Sequence, residues 1–255
     1  RINGALIERG AIGNKACAVF MDSIAFVGSA QKESIGVYLG VNGQSQKIST
    51  REIDQVLASY TDTQLSAILV ETRAIDSHNF LYIHLPDRTF VFDGNATSVM
   101  QQPIWFVLKT DTKYKLRHFI YCYSDWYCGD SDTSKVGKIA SSHSRYYGAN
   151  TDWEFATQIA YNESNGAMIH EIELVALTGN TASASSTIST SYSVDGQTWS
   201  IDKSRASGGA GQRNKRLAWF NQGFFRNWRI QRFKGNSDSH LSIARLEAQV
   251  EGLAV

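Results

Sequence analysis

Proline and long apolar runs are nearly absent from this chain of 255 residues. It contains only 2 prolines against 20 glycines, so its turns depend on glycine and on the short side chains of Asn, Asp and Ser. No stretch approaches the roughly 18 consecutive apolar residues of a membrane-spanning helix, and no secretory leader is recognisable. The chain begins with Arg1 rather than Met, and we expect it to be a fragment of a longer protein.

Cysteine is also scarce in this sequence. Cys17, Cys122 and Cys128 are an odd number and lie too far apart for a disulfide framework. Cys122 and Cys128 flank a turn, but no second pair of ligands accompanies them, so a zinc site is not predicted. We expect three buried, reduced thiols, which fits assembly in a reducing cytoplasm.

Signatures of catalysis are missing as well. No Gly-x-Ser-x-Gly elbow, phosphate-binding glycine loop or pair of histidines with zinc-ligand spacing occurs. A glycoside hydrolase would need paired carboxylates in a cleft. The candidates lie among Ser and Gly and are predicted to be solvated loop acids: Asp125, Asp130, Asp132, Asp152 and Glu154. Asp130 and Asp132 resemble half of a calcium loop, without its glycine and distal Glu. We expect no catalytic residue, metal or cofactor, although a catalytic histidine stays an alternative.

Three stretches repeat one pattern: a long apolar strand, a second strand rich in aromatic residues, and a short third strand. The predicted strands are 18–26, 35–41 and 46–50, then 65–75, 80–85 and 89–93, then 116–123, 126–128 and 136–140. The third strands begin roughly 45 residues apart, which is the period of one four-stranded propeller blade. Because such a unit cannot bury its own faces, it must stack on its neighbours.

Two of the predicted strands in these repeats are apolar on both faces. Residues 80–85 read FLYIHL and residues 119–123 read FIYCY, so alternate side chains on either face are aliphatic or aromatic. A sheet with two apolar faces must be covered on both sides. The predicted fold class is therefore all-β, with propeller-like stacked antiparallel blades.

Local signals add one helix and several turns. Ser49 and Glu52 have the spacing of a capping box, and the apolar residues that follow at helical spacing predict a short inserted helix. Asn42-Gly43 and Asp93-Gly94 are hairpin signals. We divide the chain into an irregular N-terminal segment (1–16), propeller-like blades (17–166) and a C-terminal β-rich segment (167–255).

The C-terminal segment forms either an enlarged blade pair or a small sandwich. Its predicted strands are 169–177, 189–193, 217–220, 228–233 and 241–250. Residues 141–151 and 178–186 are predicted to be polar loops, and the glycine-rich stretch 204–211 a flexible connection. Residues 193–199 read SVDGQTW and are similar to the Asp-box turn of sialidase propellers. We interpret them as a type I′ hairpin at Asp195-Gly196 with Trp199 packed beneath it.

Positive charge is concentrated near the C-terminus, although the formal net charge of the chain is only +1. Seven basic residues lie in a stretch without Asp or Glu: Arg213, Lys215, Arg216, Arg226, Arg229, Arg232 and Lys234. On a strand, Trp228 and Ile230 would point to a packed face, and Arg229 and Gln231 to a charged face. That face is either solvated, or in contact with protein, or in contact with the phosphate backbone of DNA.

Several phrases of this sequence resemble the tail hub proteins of lambdoid short-tailed phages, which are also called packaged-DNA stabilisation or tail nozzle proteins. The phrases read FVGS (26–29), GVY (36–38), KIST (47–50), TFVFD (89–93), YSVDG (192–196), KRLAW (215–219) and RF (232–233). The resemblance runs over most of residues 17–250 and corresponds to the C-terminal part of such a protein.

This resemblance implies a structural protein of the virion tail, assembled in the host cytoplasm. Such proteins form a ring, which we expect to be a hexamer, below the portal and its adaptor. They close the channel after DNA packaging, offer sites to the tail needle and tailspikes, and let DNA pass on ejection. The seven basic residues then become candidates for the channel wall or for subunit contacts. A propeller glycoside hydrolase or lectin acting on host polysaccharide is the alternative, and a general protein-interaction propeller is a third.

Overall fold

The computed structural model describes residues 8–109, 113–140, 145–163, 165–180, 186–237 and 242–253. The chain divides into two compact units, residues 1–139 and 140–255, and antiparallel sheets dominate both. The predicted all-β class is confirmed. His143, His240 and most of the loop predicted at 178–186 lie outside the described residues.

The first sheet of the first unit follows the first sequence repeat. Its strands, all antiparallel, are β1 (Gly10–Ala11), β2 (Cys17–Phe20), β3 (Ser23–Ser29), β4 (Gly36–Val41) and β5 (Gln44–Lys47). The strand predicted at 18–26 is in fact the hairpin β2–β3, which turns at Met21 with a φ of 51°. The Asn42-Gly43 hairpin is confirmed, because both residues have positive φ, as a type I′ turn requires.

Two short helices follow this sheet, α1 (Arg51–Ala58) and α2 (Asp62–Ser66). The predicted helix is present, but its predicted capping box is not: the N-cap of α1 is Thr50, without a side-chain cap, and Ser49 Oγ donates to Asp54 instead. The capping box lies at α2, where Thr61 and Gln64 satisfy each other's backbone N–H groups. The helix α2 also occupies the start of the strand predicted at 65–75.

The second sheet contains four antiparallel strands, β6 (Leu69–Ile75), β7 (His78–His84), β8 (Thr89–Asp93) and β9 (Trp105–Leu108), with helix α3 (Gly94–Met100) inserted before β9. Asp93-Gly94 begins this helix rather than a hairpin, because the Asp93 carboxylate accepts the N–H of Ala96 as an N-cap. The prediction for β7 is confirmed: Leu81 and Ile83 are fully buried on one face, and Tyr82 and His84 are buried on the other.

The third sheet has three strands, β10 (Leu116–Cys122), β11 (Asp125–Asp130) and β12 (Val136–Ile139). The third strands of the three sheets begin at Gln44, Thr89 and Val136, which confirms the repeat. The expected cover over both faces of residues 119–123 is absent, because Ile120 and Tyr121 are both more than half exposed.

The core of the first unit lies between the first two sheets and the helices. Fully buried side chains from each element meet there, among them Val27, Val37, Leu57, Leu81 and Ile83. The third sheet contacts the second through rings, since Phe119 packs on Tyr82 at a centroid distance of 4.8 Å. The stacking that the sequence predicted for blade-like sheets therefore occurs within this unit.

The second unit contains β13 (Arg145–Tyr146), β14 (Ala149–Ala156), β15 (Ala160–Tyr161), β16 (Ala167–Leu177), β17 (Thr187–Ser193), β18 (Lys203–Ala206), β19 (Ala218–Phe225), β20 (Trp228–Ser237) and β21 (Ser242–Gly252). One sheet has the order β13-β14-β20-β17-β18, with β15 also paired to β20, and the other has the order β19-β16-β21. Four strands of this unit were not predicted from the sequence, β13, β14, β15 and β18. Three of them are short or polar, but β14 alternates Trp153 and Phe155, which pack on the core, with Asp152 and Glu154.

The two sheets of this unit enclose one core. Leu174 and Trp219 come from the three-stranded sheet, and Ile188 and Phe233 from the larger one. Of the two predicted alternatives, this is the small sandwich. The predicted boundary at 166/167 differs from the observed one at 139/140, because β14 pairs with β20 from Thr151 to Ala156 and so belongs to the sandwich.

All three cysteines are free. Of the three thiols predicted to be buried, only Cys128 is. Cys122 is half-buried, and Cys17 is exposed because it lies on β2 at the edge of the first sheet. Among the residues that the structure describes, no helix has the length and apolar character needed to cross a membrane.

Candidate nucleic-acid interface in the second unit

The seven predicted basic residues lie on and before the hairpin formed by β19 and β20. Arg213, Lys215 and Arg216 precede β19, Arg226 lies in the hairpin turn, and the remaining three are on β20. The chain folds this way because aromatic residues of both strands, Trp219 and Phe233 among them, pack in the sandwich core. The seven side chains nevertheless have very different surroundings.

Arg229 is buried, with only 1% of its surface exposed. Its Nε and Nη2 donate to Gln231 Oε1 at 3.0 and 2.8 Å, and its Nη1 donates to the backbone carbonyl of Gln222 at 2.7 Å. The guanidinium lies 3.9 Å from the centre of the Tyr192 ring. Burial lowers the pKa of Arg229 to about 10, so the side chain is still charged at neutral pH.

The predicted charged face of β20 is therefore buried within the unit at Arg229 and Gln231, so at these two residues it is not solvated. β20 lies between β14 and β17, and Gln231 is only 5% exposed in this position. Gln231 Nε2 donates to Thr190 Oγ1 at 2.5 Å, which in turn donates to the carbonyl of Arg232 at 2.9 Å. This chain of hydrogen bonds holds β20 against β17.

Arg232 and Lys234 lie further along β20, and both are paired within the unit. Arg232 stacks 3.9 Å above the Trp199 ring and approaches Glu154 to 3.8 Å. Lys234 Nζ is 2.6 Å from a carboxylate oxygen of Asp202 and holds the pKa of that carboxyl below its usual range.

The turn that carries Trp199 is held by Asp195. The Asp195 carboxylate accepts the Thr198 hydroxyl and the backbone N–H groups of Gln197 and Thr198 at 2.5 to 2.9 Å. These hydrogen bonds hold the pKa of Asp195 well below its usual range. Only Gly196 of the central pair has positive φ, so the turn is not the predicted type I′ hairpin. The side chain of Trp199 is covered by Arg232.

The basic residues before β19 and in its turn are more accessible. Arg216 bridges Glu171 and Glu173 on β16, at 2.6 and 2.5 Å. Arg213, Lys215 and Arg226 are exposed and form no ion pair with any described residue. These three cations are therefore the part of the predicted cluster that can meet a phosphate or a carboxylate of a partner. Contact of these seven residues with DNA or with another subunit stays a prediction.

The acids considered for catalysis are engaged by neighbours or lie on a strand. Asp125 pairs with Lys138 at 2.6 Å, and Asp132 with Lys113 at 2.5 Å. Asp130 accepts hydrogen bonds from its own loop. Asp152 and Glu154 belong to β14 rather than to the predicted loop. No group of three His, Cys, Asp or Glu side chains in the described part of the chain is placed to hold a metal.

One buried charge in the first unit was missed by the sequence. Glu71 on β6 lies 3.1 Å from His84 Nε2 and accepts the backbone N–H of His118 at 2.9 Å. Desolvation raises the pKa of Glu71, but the hydrogen bonds and charge of His84 and His118 outweigh it and lower the pKa overall. Burial lowers the pKa of His84. The carboxylate thereby ties the third sheet to the second, which is a structural role.

Comparison with known proteins assigns both units. A family model described as Bacteriophage P22 Gp10, beta-propeller, matches residues 1–144, and one described as Bacteriophage P22 Gp10, beta-sandwich, matches residues 152–251. The exo-beta-1,3-galactanase of Phanerochaete chrysosporium, solved with galactose, covers 96% of this chain and is itself covered to 58%. Its identity of 8% and TM-score of 0.21 are too low to support any argument about fold or activity.

A curated relative agrees with the family models. The tail hub protein gp10 of Salmonella phage P22 is 30% identical over 177 residues, which are 68% of this chain and 37% of that protein. This chain therefore spans less than two fifths of the length of that relative. The resemblance inferred from the sequence is confirmed, and the chain belongs to the phage P22 Gp10 family of tail hub proteins.

Proposed function

We propose that this protein is a non-enzymatic structural component of a phage tail hub. The observation that carries the proposal is the match of both Gp10 family models, propeller first and sandwich second, along almost the whole chain. The physical character of the sheets supports it. Sheets that are buried on both faces, as β7 is, make a stiff body suited to bearing load.

The finer role follows from that assignment. In our proposal, six copies of the protein form a closed ring below the portal and its adaptor. The ring closes the channel after packaging, carries the tail needle and tailspikes, and lets DNA pass on ejection. The virion tail is then the site of action, after assembly in the host cytoplasm.

Contact with DNA in such a channel should be nonspecific. A duplex that slides through cannot be held by base-specific hydrogen bonds, so only phosphate contacts remain useful. Arg213, Lys215 and Arg226 are exposed and free of ion pairs among the described residues, which makes them the best candidates. Arg216, Arg232 and Lys234 are engaged by carboxylates of the same unit and contribute less.

Assembly tests this function. The full-length protein, added to a purified portal–adaptor complex, is expected to bind as a ring that electron microscopy resolves below the adaptor. The same protein added to portal without adaptor is the control, and it should not form that ring. Failure to bind the portal–adaptor complex, at concentrations where the protein is folded, would refute the proposal.

Salt dependence tests the DNA contact separately. The triple change of Arg213, Lys215 and Arg226 to Gln is expected to flatten the plot of log binding constant against log salt by about 0.9 for each phosphate that is no longer neutralised. Arg51→Gln, an exposed change in the first unit, is the matched control and should leave the slope unchanged. An unchanged slope in the triple variant would remove these residues from the channel wall.

The alternative of a glycoside hydrolase or lectin is not favoured by any observation in the described residues. A screen for hydrolysis of surface polysaccharide, with Asp125, Asp152 and Glu154 each changed to Asn or Gln, distinguishes it from the tail hub. If the unaltered protein hydrolyses a polysaccharide and one of these variants does not, the protein is a glycoside hydrolase.

A further inference from the structure

The last strand of the sandwich has an edge that no described strand covers. Among the described strands, β21 pairs with β16 alone and is the terminal strand of its sheet. Every residue of β21 after Ser242 is exposed. The backbone N–H and C=O groups along such an edge are a template for pairing with another strand.

This strand has little of what usually protects an edge. Proteins keep edge strands from pairing by making them short, by placing lysine or proline in them, or by bulges. β21 is 11 residues long and contains neither lysine nor proline. Its own bulge lies near its start, at Ala244, and each residue from 245 to 252 has a partner on β16. We call residues 245–252 the edge segment.

One face of the edge segment is apolar. Leu246 lies opposite Leu174, and Val250 opposite Ile169, which are both buried core residues of β16. Ala248 lies between Leu246 and Val250 on the same face. Leu246 and Val250 are nevertheless 36% and 51% exposed. This face therefore continues the inner surface of the sandwich into solvent.

The opposite face of the edge segment is polar and carries Arg245, Glu247, Gln249 and Glu251. Glu247 pairs with Arg245 at 2.5 Å, and Glu251 with His170 at 2.9 Å. These ion pairs are exposed and contribute little to stability. Charge on this face can therefore select how another strand aligns, but the backbone edge and the apolar face would have to hold it.

The apolar face of the edge segment is complementary to itself. When a second copy is placed antiparallel with Ala248 opposite Ala248, Leu246 of each copy lies opposite Val250 of the other. Residues directly opposite each other point to the same face of a sheet, so apolar side chains meet only apolar side chains. The small Ala248 lies at the two-fold axis.

The polar face selects this register. With Ala248 at the centre, Arg245 lies opposite Glu251 and Glu247 opposite Gln249, each twice, so no like charges meet. A centre at Glu247 would place that carboxylate opposite itself, and a centre at Gln249 would place Glu247 opposite Glu251 twice. Like charges directly opposite each other destabilise a pair of strands, and centres further along leave fewer residues paired.

We propose that the unassembled protein forms a two-fold dimer through β21, in which two three-stranded sheets join into one sheet of six strands. Backbone hydrogen bonds along the edge segment hold the two copies, and contact between Leu246 and Val250 removes apolar surface from water. The contact is isologous, whereas neighbours around a ring meet head to tail. The pairing therefore precedes ring assembly, and it does not depend on the proposed tail hub function.

Charge at the centre of the pair tests this contact. In Ala248→Glu or Ala248→Lys, two like charges lie directly opposite each other, which is expected to raise the dissociation constant of the dimer by about tenfold or more. Analytical ultracentrifugation of the full-length protein over a concentration series measures that constant. Ala244→Glu, an exposed change on the same strand, lies opposite Gly252 and is the matched control, which should dimerise normally.

Mixing the two variants separates loss of pairing from loss of folding. In an equal mixture of Ala248→Glu and Ala248→Lys, opposite charges lie across the two-fold axis, so dimers should form about as tightly as in the unaltered protein. Misfolded variants could not regain the contact in this way. A mixture that stays monomeric, although each variant is folded, would overturn the pairing.

A disulfide locates the register. In Ala248→Cys the two new side chains lie opposite each other, where Cβ atoms are about 4.5–5.5 Å apart, and mild oxidation should link the two copies. Ala244→Cys is the control, because its two copies lie about 27 Å apart along the paired strands and should not link. Both changes are made with Cys17, an exposed native thiol, replaced by Ser. A dimer that Ala248→Cys does not link would contradict the register.

Two further results would overturn the pairing. One is an unaltered protein that is monomeric at every concentration at which it stays soluble. The other is a dimer that Ala248→Glu leaves intact, because its contact would lie elsewhere in the protein. Neither result bears on the tail hub function, which fails only if the folded protein does not bind the portal–adaptor complex.

Discussion

Replacing Arg229 by Met separates a structural arginine from one that binds DNA. Methionine fills a similar volume but donates no hydrogen bond. The change leaves the Gln222 carbonyl and the Gln231 side-chain oxygen without the donors that now lie 2.7 to 3.0 Å away. It also removes the contact between the guanidinium and the Tyr192 ring.

The expected cost follows from these contacts. Each buried acceptor left without a donor costs about 1–3 kcal/mol, and a desolvated cation–π contact contributes about 2 kcal/mol. Removing a buried charge that no carboxylate pairs offsets part of this loss. We expect Arg229→Met to lower the free energy of unfolding by about 2–4 kcal/mol.

Urea unfolding measures the change, and hydrogen exchange locates it. Amide exchange should accelerate in β17 and β20, the strands joined by Gln231 and Thr190, and not in the first unit. Arg226→Met is the matched control, because Arg226 is exposed in the hairpin turn and its loss should change stability by less than about 0.5 kcal/mol.

DNA binding provides the result that would refute this reasoning. Arg229→Met, studied where the variant is folded, should leave the salt dependence of DNA binding unchanged. Arg226→Met should flatten the slope by about 0.9 if Arg226 contacts a phosphate. An Arg229 variant of normal stability that binds DNA less well would show that this side chain reaches solvent, and the burial described above would be wrong.

Three further changes have defined expectations. Gly235→Ala should lower the free energy of unfolding by about 1–3 kcal/mol, because an added Cβ would approach the Trp153 ring to 2.6 Å. Glu71→Gln should weaken the fall in melting temperature on acidification. His84 lowers the pKa of the Glu71 carboxyl below its usual value of 4.5, so the carboxylate stabilises the fold above that pH and loses this contribution as the pH falls through its folded pKa. Asp195→Ala should accelerate amide exchange in the turn that follows it and lower the melting temperature, since the turn loses its hydrogen-bond acceptor.

Matched variants make these outcomes decisive. Gly209→Ala adds a Cβ with nothing within 4 Å and should be neutral; equal losses from both glycine changes would contradict the role of Trp153. A melting curve of Glu71→Gln that keeps the full acid dependence would show that Glu71 is not its source. Asp195→Asn retains an acceptor oxygen and should lie between Asp195→Ala and the unaltered protein, so a ranking in the opposite order would contradict the hydrogen-bond explanation.

Elements with strong local patterns could be predicted from the sequence. The strand Thr89–Asp93 was placed at its observed limits, and the strand beginning at Trp228 had the correct start, because alternation of apolar residues is a local property of the chain. The hairpin at Met21 could not be predicted, because a positive φ at a methionine has no turn residue to indicate it.

The site was harder to predict, because burial of a charge depends on residues far away in the sequence. Alternation along β20 placed Arg229 on one face correctly but could not show that Tyr192 and Gln222 cover that face. The missed strand β14 explains part of the error, because it borders β20 and carries Glu154 to Arg232. Local sequence therefore predicted the strongly apolar strands, but not which basic side chains are exposed and which are buried or paired.

Cryo-electron microscopy of the full-length protein bound to a portal–adaptor complex tests the central claim most directly. We predict a closed ring of copies around the channel axis, with the sandwich sheets of each copy folded as described. Isolated copies bound away from the axis, or no binding by folded protein, would contradict it.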